Sequence, residues 1–293
     1  MLPFVQLRLA KENPMRAPLF LISILLSSAG CSQPDEMASD VGVDREAEST
    51  ATAAPKSATA EATGAGGAEN FEDNEERDGG SREFTYSWPG EVGADAPLAA
   101  LLRDERSRLL AEQEDEWETA LADSPADCVS CRSRSMGKEW KVVTDLPQWL
   151  SLSAETHVYT GGAHGMSGME SLVWNKADQR RYAGSDLFKS PVALENALGQ
   201  RLCDSLNRER GERRGQPVRA GSNGMFDNCP GIDESTVLIG SSNGETFDRL
   251  TIYFGPYVAG PYAEGAFELD FPVTASVIDA VKPRFASAFS VGR

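Results

Sequence analysis

The chain has 293 residues, a mass of 31.6 kDa and a formal net charge of −17. That charge argues against a nucleic-acid partner, whose phosphates need cations, and suits encounter with cationic proteins. The length permits one or two domains. The acidity is uneven: residues 32–80 hold 13 acidic and 3 basic side chains.

The N-terminus carries an apolar run, Leu19 to Leu26. It is too short for a membrane-spanning helix, which needs about 20 apolar residues, and has the length of a signal-peptide core. Ser27-Ser28-Ala29-Gly30 and Cys31 follow. This resembles a bacterial lipobox, although Ser28 stands where Leu or Val is usual. Residues 1–30 are expected to be a lipoprotein signal peptide, with Met1 or Met15 as the start. Cys31 is the expected lipidation site; the alternative is ordinary cleavage near Ala29. Two acyl chains suffice for stable anchoring in a lipid membrane. Ser32, with no Asp there, points to the periplasmic face of the outer membrane in a Gram-negative cell. Residues 31–80 are rich in Ala, Gly, Ser, Thr and acids, with Phe71 their single aromatic. Such a segment buries too little apolar surface to offset its ordering entropy. A disordered acidic linker is expected there.

Residues 81–293 are expected to fold, with an N-terminal part at 81–150 and a C-terminal part at 151–293. Phe84 to Trp88 alternates and meets a Pro-Gly turn, so it reads as a strand. Pro97 to Leu121 places Leu98, Leu102, Leu109 and Trp117 near helical spacing. Lys138 to Thr144, Leu150 to Tyr159, Ser167 to Trp174 and Arg181-Tyr182 read as strands. Pro191 to Arg208 reads as a second helix, with Pro191 in its first turn. Val237 to Ile239, Asp248 to Phe254 and Phe267 to Phe271 complete the strands, and a short helix spans Val277 to Phe285. This order predicts an α+β fold: a mostly antiparallel sheet packed by two main helices.

Cys128, Cys131, Cys203 and Cys229 remain beyond Cys31. An even count in an exported protein suggests disulfides, in one of three connectivities. The favoured pairs are Cys203–Cys229, stapling a Gly- and Arg-rich loop at 211–231, and Cys128–Cys131. The Cys-x-x-Cys could instead be redox-active or half a zinc site, yet no thioredoxin-like unit or second ligand pair accompanies it. No metal site and no cofactor is expected.

The stretch Tyr159-Thr160-Gly161-Gly162-Ala163-His164-Gly165 reads as strand, Gly-rich corner, strand. His164 is one of only two histidines. Tyr159 to Gly165, then Ala183 to Phe188, then Tyr257-Val258-Ala259-Gly260-Pro261-Tyr262-Ala263-Glu264-Gly265 resemble the extracytoplasmic RsiV/PdaC-like family over about Phe84 to Phe289. In its anti-sigma members the similar region binds lysozyme. In its deacetylases it precedes a separate metal-binding catalytic domain, which this chain is expected to lack. The resemblance implies a shared module with no assigned contact residues.

The corner residues Tyr159, Gly161, Gly162, His164 and Gly165 are therefore expected beside Tyr257, Tyr262 and Gly265, as a binding or structural corner. His164 is the one candidate for general acid–base chemistry, with Ser167 as its nearest possible nucleophile. Gly165-Met166-Ser167-Gly168-Met169 nevertheless fails the nucleophile-elbow pattern at its last position. The preferred expectation is a ring bonded to backbone amides, and no confident catalytic residue. Two readings follow. The first is a non-enzymatic envelope module, lipid-anchored, binding a protein or a peptidoglycan-derived glycan, with a cationic muramidase as the specific candidate. The second is a hydrolase or esterase on cell-wall polymers, acting through His164.

Overall fold

The computed structural model describes residues 60–63, 67–218 and 224–292. The expected signal peptide, Cys31 and the linker up to residue 59 lie outside them. The strands form two sheets. The first runs in the order β1 (Ala60–Thr63), β2 (Glu69–Arg77), β3 (Gly80–Trp88), β4 (Arg134–Asp145), β5 (Trp149–Tyr159), β6 (Met166–Asn175) and β7 (Arg180–Tyr182). The second holds β8 (Thr236–Gly240), β9 (Arg249–Phe254) and β10 (Phe267–Pro272), with β9 in the middle. Helices are α1 (Gly90–Gly93), α2 (Ala96–Asp123), α3 (Pro191–Leu198), α4 (Gln200–Arg214) and α5 (Ala275–Ala280). The fold is α+β and mostly antiparallel. β3 and β4 form the parallel exception. A parallel pair needs a long crossover, and α2 supplies it.

Helix α2 begins where Asp95 Oδ1 accepts from the Leu98 amide at 3.1 Å, satisfying one of the donors that a helix start leaves open. The same carboxylate accepts from Trp174 Nε1 at 2.8 Å, tying the helix start to β6. Positions 98, 102, 105, 113, 117 and 120 of α2 are buried, a stripe at helical spacing. It covers Phe84, Tyr86, Trp88, Trp140 and Leu152 on one face of the first sheet. A second core lies between the second sheet and α3, α4 and α5, and includes Trp149, Phe254 and Phe267.

Two polar side chains interrupt the α2 stripe. Gln113 Nε2 donates to the Glu83 carbonyl at 2.8 Å. Glu105 accepts from Tyr86 OH at 2.9 Å, Lys138 Nζ at 2.6 Å and Arg181 NH1 at 3.0 Å. Trp140 Nε1 donates to Tyr86 OH at 2.9 Å. Burial and the Glu105 charge push the Tyr86 phenol far up. For Glu105, burial alone would raise the carboxyl; Lys138, Tyr86 and Arg181 outweigh it and hold it below its ordinary value.

Three expectations need correction. The expected linker does not extend to residue 80: Glu69–Arg77 pairs with β3 along its whole length. Phe71 is buried against Phe84, and Glu69 pairs with Arg106 and Asp73 with Arg82. The acidic composition masked an alternating strand whose charges have basic partners elsewhere in the chain. The second main helix is not continuous, because Gly199 (φ 57°, ψ −142°) breaks it into α3 and α4. Helix α4 then runs on to Arg214, into the range 211–231 that was expected as loop. Both favoured disulfides are present, Cys128–Cys131 and Cys203–Cys229. The second, at a sequence separation of 26, removes about 3 kcal/mol of chain entropy from the unfolded state.

Candidate functional site

The β5–β6 hairpin carries its loop, Thr160 to Gly165, at one end of the first sheet. Gly161 (φ 99°) and Gly162 (φ 96°) occupy backbone space that side chains rarely enter. Tyr159 OH donates to the Gly162 carbonyl at 2.8 Å and closes the corner. Gly161 packs on the Cys128–Cys131 loop, where a Cβ would come within 3.1 Å of the Ser130 carbonyl oxygen.

The Tyr257–Gly265 stretch meets this corner. Tyr262 stacks on the His164 ring, centroids 4.1 Å apart and planes at 23°. Tyr262 OH donates to the Gly165 carbonyl at 3.0 Å. His164 Nδ1 lies 3.0 Å from the same carbonyl; a carbonyl only accepts, so the proton sits on Nδ1. Tyr257 adds a third ring 5.6 Å from Tyr262. It is exposed and holds φ 68°, a conformation that costs a bulky residue about 1–3 kcal/mol. Gly265 (φ 70°) ends the stretch. The result is a stacked aromatic ledge open to solvent.

Helix α4 fixes the ledge from behind. Arg210 is fully buried; its Nε donates to the Ala259 carbonyl at 2.8 Å and its NH2 to Asn228 O at 3.0 Å. Arg214 grips Glu264 with two bonds, 2.8 and 3.0 Å, the planar geometry at which arginine excels. Those bonds push the Arg214 pKa up, whereas burial, then the Arg214 charge, pulls that of Arg210 down. Sequence reading missed both arginines as anchors. Their only signal was the density of arginine between 208 and 214.

Beside the ledge, a cleft of about 500 Å³ opens between the outer face of the first sheet and the second sheet. Glu139, Glu155, His157 and Ser167 line one side, Tyr253, Ala266 and Glu268 the other. Gly165 joins ledge and cleft, since a Cβ there would lie 2.8 Å from His157 Cε1. Lys141 pairs with Glu139 at 3.1 Å and Glu155 at 3.0 Å. Burial, then the charges of Glu268 and Glu155, raise the Tyr253 phenol.

The histidine expectations change here. The His164 ring is exposed and bonds a backbone carbonyl, not amides. Ser167 does not serve it: Ser167 Oγ lies 3.5 Å from His157 Nδ1. Cross-strand pairing decides this, because His157 is opposite Ser167 in the register of β5 and β6. Among the described residues no group of three or more His, Cys, Asp or Glu could hold a metal ion.

A family model described as Deacetylase PdaC matches residues 75–167. That stretch is similar to a PdaC-like domain. The match begins within β2, takes in α2, and ends just past the His164 corner, so the Tyr257–Gly265 stretch and the second sheet lie beyond it. Two crystal structures are similar to this chain. One is a DUF3298-family protein from Bacteroides fragilis, at 16% identity and a TM-score of 0.44, covering 77% of this chain and 98% of its own. The other is a DUF3298-family protein from Pseudomonas aeruginosa, at 17% identity and a TM-score of 0.41, covering 74% and 94%. No curated protein matches the chain.

Proposed function

We propose that this protein is a lipid-anchored binding module of the bacterial envelope, whose aromatic ledge seats a basic protein ligand. A cationic muramidase is the specific candidate. The observation that carries the reading is the ledge itself: exposed His164 and Tyr257 flank half-buried Tyr262 in a ring stack on a backbone held by α4. Rigid aromatic surface is the usual anchor of a protein interface. The strain stored at Tyr257 fits a presented side chain. The net charge of −17 favours basic partners.

Binding of the full chain to a cationic muramidase, followed by calorimetry, tests the reading. Tyr262→Ala is expected to weaken binding by about tenfold or more, the effect of losing an interface anchor. His164→Ala is expected to keep the fold, losing about 0.5–1.5 kcal/mol of stacking, and to weaken binding as well. Binding unaffected by either change, or binding to soluble glycan fragments alone, overturns the reading.

A second reading has one observation behind it. The His157–Ser167 contact gives a hydrolase on cell-wall polymers a more direct pair than His164. Loss of turnover in a well-folded Ser167→Ala variant, on a substrate that the wild type cleaves, would establish it.

Anchoring is tested separately. Cys31→Ser is expected to move the protein from membrane to soluble fractions and to abolish acyl labelling. Membrane association that survives this change removes the lipoprotein reading.

A further inference from the structure

The cleft between the sheets has a feature that the ledge does not use. Tyr253 is only 6% exposed, and its hydroxyl has no hydrogen-bond partner among the described residues. The ring is packed while the residue lines the cleft, so the hydroxyl is left for a ligand to meet. Tyr253 stands directly opposite Glu268 in the β9–β10 register, on the wall facing Glu155 across the cleft. Both carboxylates line the same cleft as Tyr253, and after burial their charges raise its phenol. Glu268 is exposed and has no ion pair among the described residues. The facing charges are Glu139, Glu155 and Glu268, against Lys141 and Lys138; Lys138 is already paired with Glu105 and Glu170, and His157 also lines the cleft. The site is net acidic, and its phenol oxygen can accept a bond. Met169 and Ala266 add short apolar walls.

We infer that this cleft binds an organic cation, a guanidinium or ammonium group on an alkyl stem, with Glu155 and Glu268 as its carboxylate partners and Tyr253 O as its neutral acceptor. The carboxylates suit charge-assisted bonds, and the apolar walls suit the methylenes of the stem. The natural source of the cation rests on the reading above: a basic side chain of the protein seated on the ledge, which adjoins the cleft at Gly165. The recognition chemistry stands apart from that reading.

The test titrates the full chain with Nα-acetyl-argininamide and Nα-acetyl-lysinamide, with the neutral citrulline analogue as control, followed by amide NMR shifts at Ser167, Tyr253 and Glu268. Cationic probes are expected to bind, more weakly as salt rises, and the citrulline analogue at least tenfold more weakly. Glu268→Gln and Tyr253→Phe preserve side-chain shape. Each is expected to reduce probe affinity about tenfold, the scale of one charge-assisted or buried bond. Glu112→Gln, on the exposed face of α2, is expected to leave probe binding unchanged. Equal binding of the citrulline analogue, or no effect of either cleft variant, overturns the inference; so does stoichiometric displacement of the probe by calcium. Probe binding without muramidase binding overturns the ledge reading alone.

Discussion

A chain beginning at Ser81 is expected to fail to fold as a soluble domain, whereas one beginning at Gly67 is expected to melt cooperatively. The shorter chain loses β2. Phe71 then leaves the core under α2, a loss of about 3–5 kcal/mol by analogy with removal of a core phenylalanine side chain. Arg82, 3% exposed, loses Asp73 and Glu75 and, among the described residues, keeps Glu114 at 3.7 Å as its ion-pair partner. A buried charge stripped of its main partner costs about 3 kcal/mol or more. Together these reach the total stability of an ordinary domain, about 5–15 kcal/mol. β3 would also present a bare edge to other copies. Thermal melts and light scattering on the two chains decide the matter. A Ser81 chain that melts within a few degrees of the Gly67 chain would mean that β2 adds little.

The second large effect is expected at Glu105. It sits 8% exposed beneath α2 and gathers Tyr86, Lys138 and Arg181. Lys138 is only 3% exposed. Removing one member of a buried ion pair costs about 3–5 kcal/mol, because the other charge stays buried. Glu105→Ala is expected to fall in that range in urea unfolding, with Lys138 retaining Glu170 at 2.8 Å as partial compensation. Glu105→Gln keeps the shape and some of the bonds and is expected to cost less.

The pH dependence has a definite sign. The Glu105 carboxyl is held below its ordinary value of 4.5, so the folded state favours the charged form. Its contribution is complete above 4.5 and is lost as the pH falls through the lowered folded value. The wild type is therefore expected to lose stability as the pH drops below that range, and Glu105→Gln to lose less. Parallel acid titrations of the two proteins would refute this assignment.

Much of the outline was legible in the chain. The α2 stripe, the β5–β6 pair and the strands of the second sheet follow from side-chain periodicity, which depends only on local geometry. Both disulfides were among the few pairings that four cysteines allow. The GGAHG and Tyr257–Gly265 stretches stood out because adjacent glycines and clustered tyrosines are unusual enough to mark a bend and a surface.

Other features needed the tertiary structure. β2 looked like linker because its acids count as solvated until Arg82 and Arg106 are placed beside them. Glu105 looked like one more charge on a long helix, and only the position of Lys138 on β4 makes it a buried hub. Ser167 follows His164 by three residues yet serves His157, because strand register, not sequence distance, decides which side chains meet. Tyr253 and Glu268 carried no motif at all. They are 15 residues apart in the chain and become one wall only when β9 and β10 pair. What the sequence determined by itself was the elements whose apolar periodicity stands clear of composition, as in α2 and β5, and not β2, whose acids hid its alternation. What the tertiary structure decided was charge partnership and the cleft, since Coulomb and hydrogen-bond energies depend on distances that no linear spacing contains.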